Sequence, residues 1–149
     1  MSAKSQIRQQ LLTGAPVTDP VFFGMSLEEV EDFFRELDCL TILDLLAAAE
    51  AAIRVDFLNR AYHGKGEAVA RDFRRLYKRH GVWVRLEEDI LETWKRHRPA
   101  AKNAVGDFKA ALNLRHWLAH GRYWTPKFRM NYSPGDVYDI ANNLLTAIA

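Results

Sequence analysis

The sequence predicts an all-α fold, a single-domain helical bundle of about five to six helices. Three observations lead there. Apolar residues recur at steps of three and four, while strand-like alternation is nearly absent. Glycines and prolines fall between the periodic runs, where they act as punctuation. At 149 residues the chain has the length of one ordinary domain, able to bury roughly two thirds of its unfolded surface without disulfide staples.

Residues 1–25 carry Gly14, Pro16, Pro20 and Gly24 and read as an irregular N-terminal arm; residues 26–149 read as the helical domain. The stretch "SLEE" opens the first helix, because Ser26 can cap it and Glu29 can reach back as a capping box. That helix is expected to end near Leu37, and a longer one runs from residue 41 to 62, where "HGKG" stops it. A third covers residues 67–79 before Gly81, and a fourth covers 86–97 before Pro99. The fifth runs from residue 100 to Gly121. A loop with Pro126 leads to "SPGD", where Ser133 fits an N-cap and Pro134 the first helical turn. "DVYDIANNLLTAI" closes the bundle.

Hydrophobic content of 48% and charged content of 27% belong to a globular chain rather than a disordered one. The single cysteine, Cys39, excludes an intramolecular disulfide and a cysteine-based zinc cluster. "MSAKSQIRQQLLTG" has no apolar run of signal-peptide length, and no stretch approaches the ~20 apolar residues of a membrane span. The expectation is a soluble, cytoplasmic protein with no membrane partner.

The net charge of +2 hides an asymmetry. Residues 1–59 hold four basic and ten acidic residues, a balance of −6. Residues 60–102 hold twelve and six, a balance of +6, concentrated in "RDFRRLYKRH" and "WKRHRPAAK". Such a segment suits phosphate contacts with nucleic acid; it equally suits solvated helix faces neutralised by the acidic first third.

In the second helix, Ile42, Leu45, Leu46, Ala49, Ile53 and Phe57 form an apolar stripe. Asp56 falls inside that stripe and Glu50 at its edge. A carboxylate on a buried face is costly unless paired, so Asp56 is expected to meet a cation, and Arg60, four residues on, is nearest by spacing. The pair is either purely structural, or Glu50 or Asp56 reaches across the bundle to orient a residue of the fifth helix.

"LRHWLAHGRYW", residues 114–124, packs Arg115, His116 and His120 into a helix end. Leu114, Trp117 and Leu118 are spaced to face the core. Three readings fit the polar residues. His116 and His120 share one helix face and suit a metal, but a site needs further ligands, and His63, His80 and His97 sit on other helices. Cations at a helix C-terminus also meet the negative end of its dipole, with Gly121 as a natural C′ residue. The third reading is phosphodiester cleavage. Arg115 offers a planar fork of donors to phosphate oxygens. Histidine, with an ordinary pKa of about 6.5, gives or takes a proton near neutral pH. RNA brings its own 2′-hydroxyl nucleophile, so neither a metal nor a protein nucleophile is required. In an ideal helix Arg115 and His120 stand about 140° apart. They converge only if the helix end unwinds, or if two copies meet across a two-fold axis.

At these residues the chain resembles the HEPN domains, whose R-x-x-x-x-H motif sits near the end of a helix in a small all-α bundle. Arg115 and His120 fill that motif within "NLRHWLAHG", and the polar residue after the arginine is His116. The upstream helix "AAEAAIRVDFLNR" and the order of helices from about residue 26 onward also resemble the family. The resemblance implies a metal-independent endoribonuclease without a cofactor, in a toxin–antitoxin, phage-defence or RNA-processing setting. It implies RNA as substrate, a homodimer that joins two motifs, and an antitoxin protein as a further partner. Arg115 would stabilise the scissile phosphate, His120 would be general acid or base, and His116 would assist. Asn113, Glu50 or Asp56, and Tyr123 would support them. One branch of the family places a tyrosine two residues after the histidine; here Arg122 stands there and Tyr123 follows. Other members bind a nucleotide or a protein without cutting, so a non-catalytic helical module is the second function class. Trp117, Tyr123, Trp124, Phe128 and Tyr132 around the motif suit core packing, a dimer interface or base stacking.

Overall fold

A computed structural model describes residues 3–15, 17, 19–120 and 131–149. The described residues form helices joined by turns, with no strand among them. Six α-helices occur in order: α1 (Ala3–Thr13), α2 (Leu27–His63), α3 (Ala68–His80), α4 (Glu92–His97), α5 (Lys102–Ala119) and α6 (Pro134–Ile148). Among the described residues no helix is long and apolar enough to cross a membrane. Packing divides the chain into two compact units, Met1–Thr41 and Ile42–Ala149.

In the first unit the expected irregular arm is instead partly helical. α1 turns Ile7 and Leu11 to one side, four residues apart, onto Phe22, Val30 and Phe34. Phe22 stacks on Phe34 at 5.5 Å and meets Phe33 edge-on at 5.3 Å. Arg8 pairs with Glu31. Between α1 and α2, a 3₁₀ turn, Pro20–Phe22, starts on the Asp19 side chain, and Gly24 follows it at φ 80°. The boundary between the two compact units falls after residue 41, within α2.

The break expected between residues 37 and 41 is absent, and α2 runs unbroken for 37 residues. Its start is as the sequence indicates: Glu29 N donates to Ser26 Oγ at 3.3 Å, and Ser26 N donates to Glu29 Oε2 at 2.7 Å. Asp38, Cys39 and Thr41 are weak helix formers but not breakers. Thr41 Oγ1 donates to the Leu37 carbonyl at 2.8 Å, which satisfies the hydroxyl inside the helix.

In the second unit, Ile42, Leu46, Ala49, Ile53, Phe57 and Ala61 are all buried along α2. Phe73 of α3 meets Phe57 edge-on at 5.0 Å and Trp94 of α4 at 5.5 Å, so three helices share one aromatic relay. Phe108 of α5 and Val137 and Leu144 of α6 join the same core. Gly64 lets α3 return closely, because a Cβ there would lie 2.6 Å from the Ala70 Cβ.

The fourth helix differs from the plain α-helix expected over residues 86–97. It opens with a π-helical turn, Leu86–Leu91, in which Ile90 N reaches back five residues to the Arg85 carbonyl at 3.2 Å. Ile90 and Leu91 within this turn are both buried. Asp89 fastens its start by accepting from the Arg85 backbone N–H at 3.0 Å. At α6, Ser133 and Asp136 form a reciprocal capping box, and Pro134 takes the first turn as expected.

Two polar ties cross between helices. His97 Nε2 donates to Asp72 Oδ2 at 2.7 Å, joining α4 to α3, and Lys109 Nζ donates to Glu92 Oε1 at 2.7 Å, joining α5 to α4. The hydrogen bond from His97 holds the Asp72 carboxyl below the usual carboxylate range. Hydrogen bonds from Lys109 and then Lys95 do the same for Glu92. A carboxylate depressed in the folded state contributes stability above its unfolded pKa and loses it as pH falls through the folded one.

Two outcomes follow from this packing. Phe73→Ala should destabilise the fold by about 3–5 kcal/mol in urea unfolding, since a buried ring leaves a cavity between three helices. An Asp72→Asn/Glu92→Gln variant should be less stable than wild type at neutral pH. The difference should shrink below the ordinary carboxylate range; parallel stability–pH curves would contradict the assignment.

Candidate functional site

The last two turns of α5 carry the motif, and packing fixes their rotation. Leu114 is buried, while Trp117 and Leu118 pack half-buried on the core, as their spacing indicates. That leaves Asn113, His116 and His120 exposed and Arg115 on the flank, with 38% of its side chain accessible. The helix closes when His120 N donates to the His116 carbonyl at 3.1 Å. His120 departs from helical geometry as the C-cap, at φ −101° and ψ 20°. The imidazoles of His116 and His120 lie one turn apart, ring centres 4.2 Å from each other.

Across the unit, Glu50 of α2 meets this helix end. Its Oε2 lies 3.3 Å from Arg115 Nη2, and its Oε1 accepts from Arg54 Nε at 3.0 Å. Glu50 thus stands between two guanidinium groups with only 19% of its side chain accessible. Arg54 Nη1 also donates to the Val84 carbonyl at 3.1 Å, which ties the segment between α3 and the π turn into the same network. Arg115 Nε is buried and has no hydrogen-bond partner among the described residues.

Asp56 does not join this group. Arg60 Nε donates to Asp56 Oδ1 at 2.9 Å, the partner that spacing indicates. Arg60 also reaches Glu67 at 2.6 Å and lies 4.8 Å above the Trp94 ring. Of the two carboxylates expected to serve the fifth helix, Glu50 reaches Arg115 and Asp56 belongs to a local ion-pair cluster. Tyr132 packs half-buried on the core. Gly121, Arg122, Tyr123, Trp124 and Phe128 lie outside the described residues.

His63, His80 and His97 stay on other elements, with His97 engaged by Asp72. Among the described residues no three His, Cys, Asp or Glu side chains come together as a metal site. Arg54 was missed from the sequence. Its signal was the same i,i+4 spacing to Glu50 that relates Arg60 to Asp56.

Chemically, the helix end offers a partly exposed guanidinium held by a carboxylate on one side and two exposed imidazoles, one turn apart, on another. No family model matches the chain, and no characterised protein or solved structure matches it either.

The Glu50–Arg115 contact should be measurable as a coupling. In a double-mutant cycle of Glu50→Ala and Arg115→Ala, unfolding in urea should give an interaction of about 0.2–1 kcal/mol, the range for partly exposed pairs. Additive effects would mean the two side chains do not act on each other.

Proposed function

We propose that this chain is a metal-independent endoribonuclease of the HEPN type, acting on RNA in the cytoplasm as a homodimer. The observation that carries the reading is the set of groups at the end of α5: Arg115 steadied by Glu50 on one side of the helix, and the His116 and His120 imidazoles, 4.2 Å apart, on another. These are the parts that transesterification of RNA needs. A base takes the proton of the 2′-hydroxyl, whose oxygen forms a bond to the adjacent phosphorus. The bond from phosphorus to the 5′-oxygen breaks, and an acid gives that oxygen a proton. His120 serves as general acid or base with His116 assisting, and the Arg115 guanidinium offsets the charge gathering on the phosphoryl oxygens. The products carry a 2′,3′-cyclic phosphate and a 5′-hydroxyl.

Arg115 and His120 point to different sides of an α-helix, about 140° apart. In this reading a second copy brings its own motif across a two-fold axis and completes the cleft. A ribonuclease with no metal to withhold also needs restraint, so a protein antitoxin or a phage-defence or RNA-processing setting belongs to the proposal. The same Glu50–Arg115 pair favours a second reading, in which the helix end is structural and the fold is a module that binds a nucleotide or a protein. Exposure speaks for the first, since both imidazoles and a third of Arg115 face solvent.

Cleavage of single-stranded RNA in EDTA, with analysis of product ends, separates the two. His120→Ala should lower the rate by about 10²–10⁴-fold, Arg115→Ala should be similarly impaired, and both should keep the wild-type circular dichroism spectrum. Equal rates for wild type and His120→Ala would remove the histidine from the chemistry. Silence of the wild type on RNA would give the second reading precedence.

A further inference from the structure

The strongest feature outside the motif is the solvent face of α3 and the turn that follows it. Arg71, Arg75, Lys78 and Arg79 are all exposed there, at steps of three and four along about 12 Å of helix. Arg75 pairs with Asp72, while Arg71, Lys78 and Arg79 have no ion-pair partner among the described residues. Lys78 and Arg79 stand in the last turn, where the helix dipole favours cations. Arg71 and Arg75 lie further back, beyond that effect. Gly81, at φ 58°, then ends the helix, and a 3₁₀ turn, Gly81–Trp83, presents Val82 at 76% and Trp83 at 85% exposure. An exposed indole close in sequence to exposed cations, three of them without an ion-pair partner among the described residues, is an unusual use of surface, since large aromatics normally go inside.

Trp83 is also connected to the motif. Its neighbour Val84 is buried, and the Val84 carbonyl accepts from Arg54, which donates to Glu50, which contacts Arg115. Three polar contacts therefore separate the backbone beside Trp83 from the guanidinium of the motif.

We propose that Trp83 and the cationic face of α3 form a binding surface for single-stranded RNA, in the same unit as Arg115 and His120. The cations follow the phosphates, and the indole stacks on an unpaired base. The inference rests on the ribonuclease reading for what happens to the strand, but its binding step can be measured without cleavage. A duplex keeps its bases stacked inside and offers Trp83 nothing to stack on. A membrane surface fits less well. The apolar side of α3, with Val69, Ala70 and Phe73, is buried in the core, so no apolar helix face remains to enter lipid.

The test uses full-length His120→Ala protein, which keeps the probe intact, and a fluorescein-labelled 12-nucleotide RNA single strand read by anisotropy. The single strand should bind more tightly than the same sequence as a duplex. Adding Trp83→Ala should weaken binding by about tenfold and leave the salt dependence unchanged. Adding Arg71→Ala/Lys78→Ala should weaken it and flatten the slope of log K against log salt by about 1.4, two phosphates' worth. Both variants change exposed side chains, and unchanged melting would show that they fold. Unaltered affinity in both would overturn the inference, as would binding to phosphatidylserine vesicles without binding to RNA. Cleavage by wild type that neither substitution slows would also remove the surface, leaving the ribonuclease reading intact. Trp83-dependent binding without cleavage would keep the surface and remove the ribonuclease.

Discussion

Between residues 42 and 61, α2 turns one side chain in every three or four toward a common seam, and the other helices of the unit are placed by what that seam accepts. Phe57 receives Phe73 and, through it, Trp94. The cost of leaving such rings in water, roughly 1.5–3 kcal/mol each, makes the positions of α3 and α4 a consequence of the α2 stripe. The π turn before α4 adds Ile90 and Leu91 to the same core.

The same seam carries two acids, and they are resolved differently. Asp56 and Glu67 share one cation, Arg60, which also covers the Trp94 ring, so that cluster holds two carboxylates to one guanidinium. Glu50 has the reverse arrangement, one carboxylate between Arg54 and Arg115. Neither set contributes much stability, because partly exposed pairs are worth about 0–1 kcal/mol. What each does is prevent a half-buried charge from standing alone, which would cost more than the pair returns. Their effect is on geometry: Arg60 stays over Trp94, and Arg115 stays at the end of α5.

Much of this was legible in the sequence, in the places where local chemistry decides. "SLEE" and "SPGD" announce their caps because the residues that satisfy the free amides are three positions apart. The α2 stripe and the Asp56–Arg60 pair are spacing rules on one helix. What stayed hidden depended on tertiary partners or on weak signals. α1 shows only Ile7 and Leu11 as its apolar face, and the prolines after it outweigh them. The continuity of α2 through Asp38, Cys39 and Thr41 turns on the absence of a breaker, which is harder to read than its presence. That Glu50 rather than Asp56 meets Arg115 depends on how α5 sits against α2, and that Trp83 faces water depends on the core being filled by others. Neither has a signature in the chain.

A helix end with an arginine and two histidines is ordinary, since the dipole alone favours cations there. The dipole, however, asks nothing of another helix. Here α2 supplies a carboxylate to Arg115 and a second guanidinium to that carboxylate, and the sum over Arg54, Glu50 and Arg115 is one positive charge. An excess cation on the helix that carries two exposed imidazoles, with Arg71, Lys78 and Arg79 on a helix of the same unit and without ion-pair partners among the described residues, is a charge balance that a phosphodiester would complete. What decides between an ordinary helix end and a ribonuclease is therefore what His120 and Arg115 do to RNA, rather than any likeness of the fold.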